Sequence, residues 1–142
     1  MNRDKEIKVS VVIPTKNGEI FLDRCLAKIF SQKTPESFEV ICIDSGSQDR
    51  TLENCQRYPV RLFQIDEDNF NHGLTRNFGI NIAKGEFIIL ISQDAIPYSE
   101  DWIESFIKDI RLDKEIAGVY GRQIPDEDAD VLTKRDLDHL LI

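Results

Sequence analysis

Four short apolar runs, separated by segments of helical periodicity, constrain the fold of this chain more than any other feature. Val9 to Ile13 (VSVVI) is β-branched, is closed by Pro14, and reads as a central strand. Leu22, Cys25, Leu26, Ile29 and Phe30 then repeat at helical spacing until Thr34-Pro35 stops the pattern. Phe38 to Ile43 (FEVICI) is a second buried strand ending at Asp44, and Ser47 suits the N-cap of a short helix carrying Leu52 and Cys55. Val60 to Ile65 is a third strand, less continuously apolar and therefore nearer an edge. Leu74, Phe78 and Ile82 mark a helix from about Gly73 to Ala83, with Gly85 suited to a left-handed C-cap. Phe87 to Ile91 is the most apolar run and is expected at the sheet centre, each large side chain contributing roughly 1.5–3 kcal/mol when buried. Ser99 is the expected cap of a last helix, with Glu100 and Asp101 at the positive end of its dipole and Ile103, Phe106, Ile107 and Ile110 as its apolar stripe. Ile116 to Tyr120 reads as a fifth strand.

This β-α-β-α-β-α-β-α-β alternation specifies an α/β, Rossmann-like fold, a mostly parallel sheet with helices on both faces. A chain of 142 residues is one domain by length, large enough to bury roughly 70% of its unfolded surface. After residue 125 the composition changes, with Asp126, Glu127, Asp128 and Asp130 preceding any further apolar pattern. The expected division is residues 1–125 as the ligand-binding domain and 126–142 as an acidic segment, either mobile or the start of further structure.

The net charge of −8 argues against nucleic acid, which is held mainly by Lys and Arg on phosphates, and against an anionic membrane surface. No apolar run is long enough to span a bilayer, and the N-terminus has no apolar signal core. Cys25, Cys42 and Cys55 are odd in number and form no CxxC, which suits reduced core thiols in a cytosolic protein. Neither GxGxxG nor a Walker A loop follows the first strand, which argues against NAD enzymes and P-loop NTPases. The acidic pair of a receiver-type phosphorylation domain is also absent there.

What remains is a set of polar groups at strand ends: Pro14, Thr15 and Asn17 after the first, Asp44 to Asp49 (DSGSQD) after the second, and Ser92, Gln93 and Asp94 after the fourth. Singly, each has a plainer reading. Asn17 can start a helix, DSGS is turn chemistry, and Asp94 can be a solvated loop carboxylate. Together they fall on the sheet edge where doubly wound folds bind ligand. Arg76, one helix before Asp94, adds a cation. A carboxylate and an arginine so placed are equipment for holding a metal and a diphosphate.

VSVVIPTKN, ICIDSGSQDRT and NHGLTRNFGINIAKGEFIILISQDAIP, in that order and spacing, resemble the family 2 glycosyltransferases with the GT-A fold. The NHG-TRN and QDAIP variants, with YGRQIP at Tyr120 to Pro125, resemble its bacterial rhamnosyltransferase-like branch most. The resemblance covers about residues 8 to 125. It implies a glycosyltransferase of the EC 2.4 class that moves a sugar from a nucleotide-diphosphate donor to an acceptor hydroxyl. Mg²⁺ or Mn²⁺ would assist, with inversion at the anomeric carbon. The acceptor would be an unidentified saccharide or a lipid-linked one.

Carried over by position, the resemblance implies that Pro14, Thr15 and Asn17 border the nucleotide base and that Asp44 lies beside the base or ribose. Arg76 matches the family arginine near the nucleotide, and Asp94 the metal-contacting carboxylate. Three departures bear on this. Ser45 stands where a second Asp is common, altering base recognition; Lys16 stands where an aromatic often stacks; Gln93 replaces another common carboxylate. Asp94 is therefore the single expected metal ligand, with Gln93 and Ser45 on the substrate side.

His72, at a helix start, either donates to phosphate or sugar or caps its loop. Trp102 either stacks on a sugar or packs, and His139 is expected in solvent. No residue matches the family's general base convincingly; Asp126, Glu127, Asp128 and Asp130 are candidates by position alone. The chain thus reads as the donor-binding half of a longer, C-terminally incomplete enzyme. It is expected in the cytoplasm, with any membrane association peripheral and belonging to the full-length protein. The rival reading is a non-catalytic nucleotide or nucleotide-sugar binding module.

Overall fold

A computed structural model describes residues 6–128 and 130 of the chain. The alternation is realised as β1 (Val9–Thr15), α1 (Glu19–Phe30), β2 (Phe38–Asp44), α2 (Thr51–Gln56), β3 (Arg61–Gln64), a 3-10 turn (Glu67–Asn69), α3 (His72–Ile82), β4 (Phe87–Leu90) and α4 (Trp102–Ile110). The strands form one parallel sheet in the order β3-β2-β1-β4. The chain therefore builds outward from β1 to β3, then returns to lay β4 on the other side of β1. The carboxyl ends of β1 and β4 are the switch point of the sheet, where such folds open a crevice.

Side chains alternate across a strand, so neighbouring residues report opposite faces. On one face Val12, Ile41 and Ile43 form a buried cluster with Phe63, Ile82 and Ile88 packed against it. Helix α3 lies so close there that a Cβ on Gly79 would sit 2.4 Å from Val12 Cγ1. On the other face Cys42 lies beside Cys55 of α2, with Cys25 of α1 nearby. Helices cover both faces, as the pattern requires. All three cysteines are free and buried. Burial, with the charge of Asp94 adding to it, pushes the Cys25 thiol up to about 12.

The amino end of the sheet is closed by a polar network. Glu39 accepts from Ser10 Oγ at 2.7 Å and from the Lys84 amide at 2.8 Å, and it pairs with Arg61 at 2.9 Å. Arg61 also donates to the Ile82 carbonyl at 3.0 Å. These bonds tie β1, β2, β3 and the end of α3 together, away from the crevice.

Several expectations need correction. Phe87–Leu90 is an edge strand in the described sheet, not a central one, and Leu90 is 45% exposed. Ile116–Tyr120 forms no strand, since no neighbouring strand supplies the ladder that would hold it among the described residues, and Tyr120 is 90% exposed. Gly85 does not adopt a positive φ; α3 ends at Ala83 with extended geometry. Glycine is required at 85 by space, because a Cβ there would meet Ser10 N at 2.6 Å. Ser47 does not cap α2: its hydroxyl bonds Asp44, and Asp49 accepts from the Thr51 amide instead. Ser99 does not cap α4 either. It donates to the Asp101 carboxylate at 2.5 Å, and the Asp101 carbonyl accepts from the Ser105 amide.

The chain divides into a unit of residues 1–105 and a second of 106–142, earlier than the change in composition at 126. In the first, the start of α4 is fastened by Gln32, which accepts from the Ile103 amide at 3.0 Å and donates to the Ser99 carbonyl at 2.7 Å. In the second, Phe106 lies against Gly121, and Asp113 accepts from the Glu115 amide at 2.9 Å. Residues 131–142, with His139, lie outside the described residues. Among the described residues no helix is long and apolar enough to cross a membrane.

Candidate functional site

The crevice at the β1–β4 switch point is a cleft of about 300 Å³ within the first unit. Pro14, Thr15 and Lys16 at the end of β1 form one wall, and Ser92, Gln93 and Asp94 after β4 form the other. Phe70, His72 and Arg76 close it from α3 and the loop before it.

Helix α3 is aimed by its cap. Asn71 is extended, and its side-chain oxygen accepts from the amides of Gly73 at 3.0 Å and Leu74 at 3.2 Å. The cap is therefore Asn71 and not His72, which is exposed and meets the Phe70 ring edge-on at 4.8 Å between centroids. One turn on, Arg76 is half-buried, and no ion pair holds it among the described residues. A guanidinium left without a carboxylate at the wall of a cleft is set to take an anion. Asp94 is exposed on the facing wall and does not enter the interior.

Six of the nine sequence-derived site residues line the cleft: Pro14, Thr15, His72, Arg76, Gln93 and Asp94. Asn17, Asp44 and Ser45 do not. Asp44 is 1% exposed, and both its oxygens are occupied by its own loop. Oδ1 accepts from Thr15 Oγ1 at 2.9 Å and Ser47 Oγ at 2.5 Å, and Oδ2 from the amides of Gly46 at 3.1 Å and Ser47 at 2.9 Å. The buried Ser45 amide donates to the Thr15 carbonyl at 3.1 Å. Asn17, held at φ 44°, accepts from the Gln48 amide at 2.8 Å. These three residues tie the loops after β1 and β2 to one another.

Lys16 is tied down rather than free. Its ammonium donates to the carbonyls of Ser45 at 3.1 Å and Gly46 at 2.8 Å, and pairs with Glu67 at 3.0 Å. Phe70 was not singled out from sequence as a site residue; the available signal was an aromatic in a polar loop directly before the Asn71 cap. Trp102 is half-buried at the first residue of α4 and is not among the cleft residues. Asp126, Glu127, Asp128 and Asp130 are exposed in the second unit.

A larger depression, about 400 Å³, lies along the edge formed by β3 and α3, lined by Gln64, Asp66, Asn69, Leu74, Thr75 and Phe78 among others. Its lining includes the carboxylate of Asp66 but no Lys or Arg to face it, unlike the strand-end cleft. The buried Thr75 hydroxyl, on its lining, has no hydrogen-bond partner among the described residues.

The sequence profile described as glycosyl transferase family 2 matches residues 10–138. The O-antigen chain rhamnosyltransferase RfbN of Salmonella typhimurium is 36% identical over 128 residues, 89% of this chain and 40% of that protein. The poly(ribitol-phosphate) beta-glucosyltransferase of Bacillus spizizenii is 34% identical over 84% of this chain and 20% of its own length. The crystal structure of S. aureus TarS 1–349 in complex with UDP-GlcNAc superposes with a TM-score of 0.66 at 26% identity, over 84% of this chain and 37% of that one. The chain thus spans 40% or less of the length of these relatives. Similarity to rhamnosyltransferases agrees with the branch that the QDAIP and YGRQIP motifs resemble. The chain belongs to glycosyl transferase family 2.

Proposed function

We propose that this chain is the donor-binding part of a glycosyltransferase that moves a sugar from a nucleotide-diphosphate donor to an acceptor hydroxyl. The observation that carries the reading is the presence of Arg76 and Asp94 on one cleft at the switch point of the sheet. Arg76 supplies charge-assisted hydrogen bonds to a phosphate. Thr15 and Pro14 offer a surface for the nucleoside, with Asn17, Asp44 and Ser45 shaping that surface from behind. The exposed His72 is placed to donate to a phosphate or sugar oxygen. The UDP-GlcNAc complex of the TarS fragment supports a nucleotide sugar as the ligand class. Relatives that are themselves transferases support catalysis over a non-catalytic binding module.

The residues present fit Mg²⁺ or Mn²⁺ held jointly with substrate. Among the described residues no group of three or more His, Cys, Asp or Glu side chains is arranged to hold a metal. Asp94 and Ser92, on the same wall of the cleft, offer oxygen donors. Hard divalent cations suit such a set, since they keep waters and take their remaining ligands from substrate phosphates. Bound there, a cation would supply Lewis-acid stabilisation of the departing diphosphate. Inversion, a saccharide or lipid-linked acceptor and a cytoplasmic location belong to the same proposal.

A thermal-shift screen of UDP, GDP and dTDP, each with Mn²⁺ and with chelator, tests it. A nucleotide at a hundredfold over its Kd adds ~2.7 kcal/mol, a rise in Tm of roughly 5–10 °C for a chain of this size. The proposal expects one base to give that rise with Mn²⁺ and much less with chelator. No rise with any of the three contradicts it.

A further inference from the structure

The β1–β4 ladder runs from Val9↔Phe87 to Val12↔Leu90, with a last bond from the Ile91 amide to the Val12 carbonyl at 3.2 Å. Beyond it the two chains separate, and the cleft opens between them. One side chain spans the gap. Gln93 Oε1 accepts from the Lys16 amide at 2.9 Å, and Gln93 Nε2 donates to the Lys16 carbonyl at 2.8 Å. The carboxamide thus presents a donor and an acceptor in the sense a backbone peptide would. It extends the pairing past the point where the strands end.

Gly18 shows how closely the loop is fitted to this bridge. Its φ of −106° is open to any residue, so conformation does not demand glycine. Space is tight only while the amide sits there: a Cβ at 18 would lie 2.3 Å from Gln93 Oε1 and 2.5 Å from Gln93 Cδ, so the Gln93 amide would have to move aside. The β1 loop is shaped to seat the amide, and the residue that provides it directly precedes Asp94.

The geometry points to Gln93 as a positioning residue: its amide clamps the backbone of Lys16 and thereby fixes the distance between the Pro14–Lys16 wall and the Asp94 wall of the cleft. This rests on the nucleotide reading above and deepens it. With both ends of the amide engaged on Lys16, Gln93 acts on ligand through the walls it holds and not by direct contact. An oxygen donor set completed by substrate phosphates works only when the carboxylate stands at the right distance from them. The two-ended amide sets that distance; a carboxylate at 93 would keep the acceptor and face the Lys16 carbonyl without a donor.

The test uses the full chain with three variants: Gln93→Ala, Gln93→Glu and Gly18→Ala, the last displacing the amide from the opposite side. Amide hydrogen exchange of Lys16 reads the clamp directly. It is expected to be slow in the unaltered chain and fast in Gln93→Ala, while Val12 and Ile41 stay protected in both. Calorimetry with UDP, GDP and dTDP in Mn²⁺ reads the consequence on whichever nucleotide the unaltered chain binds. Kd is expected to rise roughly tenfold in Gln93→Ala and Gly18→Ala, and less in Gln93→Glu, which keeps one of two bonds. Unchanged Lys16 exchange in Gln93→Ala, or unchanged nucleotide affinity in both Gln93→Ala and Gly18→Ala, overturns the inference. Failure of the unaltered chain to bind any of the three nucleotides overturns the nucleotide reading, and the exchange arm then tells that failure apart from absence of the clamp.

Discussion

Thr15 donates its hydroxyl to Oδ1 of Asp44 at 2.9 Å, joining the carboxyl ends of two paired strands. The remaining donors to Asp44 come from Gly46 and Ser47, so one buried carboxylate organises the whole β2 loop. That loop supplies the carbonyls that hold Lys16. The structural role of Asp44 is therefore to set one wall of the cleft.

Replacing Asp44 by Asn puts an amide NH₂ where donors already point. The variant should lose roughly 1–3 kcal/mol of stability, read as a lower urea midpoint at unchanged slope. A variant as stable as the parent would remove Asp44 from this role.

Glu39 links acidity to stability. Burial pushes its carboxyl up, but the Lys84 amide, the Ser10 hydroxyl and Arg61 together outweigh burial and hold it below the ordinary carboxylate range. A group with a depressed folded pKa stabilises above its unfolded value and loses that contribution as pH falls through the folded one. Between pH 7 and pH 3 the parent should therefore lose more stability than Glu39→Gln, with the difference developing below about pH 4.5. Parallel pH profiles for the two proteins would contradict the assignment.

The strands were legible where both the faces and the edges of the sheet reported the same thing. β1 and β2 read as buried runs because they are covered by helices on both faces and paired on both sides. Phe87–Leu90 reads the same way, yet it is an edge. Apolar continuity reports which side chains a strand carries; it carries no information about whether both backbone edges are paired. Ile116–Tyr120 makes the complementary point, since a run of suitable residues needs a partner before it becomes a strand.

The site divides similarly. Arg76 and Asp94 were legible because a charge at the end of an apolar strand, or on a helix leading to one, has few structural uses. Asp44 was only half legible. A carboxylate after a strand looks the same in sequence whether it faces a ligand or its own loop, and only the four donors around it decide. Asn71 was the missed cap, although an Asn just before the periodic helix residues is an ordinary start signal. The Gln93–Lys16 clamp was out of reach, because its partner is a backbone 77 residues away in the chain.

Thr75 offers a test in the stabilising direction. Its hydroxyl is buried without a partner among the described residues, and the residue is 3% exposed. Thr75→Val keeps the shape and removes the unpaired group, so stability should rise by about 1 kcal/mol. A fall in the denaturation midpoint would mean that the hydroxyl is satisfied in solution.

Among the described residues Arg76 has no paired carboxylate to leave, so its contribution to anion binding should be close to the full strength of a charge-assisted pair. Arg76→Ala should raise the Kd for a nucleoside diphosphate roughly 10–100-fold, with Arg76→Lys in between because it keeps charge and loses the fork. Equal affinity for the parent and Arg76→Ala by calorimetry would exclude the contact.

In a full-length protein, Asp94→Asn should lower sugar-transfer turnover by roughly 10²–10⁴ if several kcal/mol of charge stabilisation is lost with the carboxylate. Near-normal turnover would take Asp94 out of the chemistry.

The most direct measurement is calorimetry of nucleoside diphosphate binding to this chain and to Asp94→Asn, each with Mn²⁺ and with chelator. If a cation bridges Asp94 to the diphosphate, Mn²⁺ tightens binding by at least roughly tenfold in the parent and by little in the variant. Equal tightening by Mn²⁺ in both proteins, or none in the parent, contradicts the account.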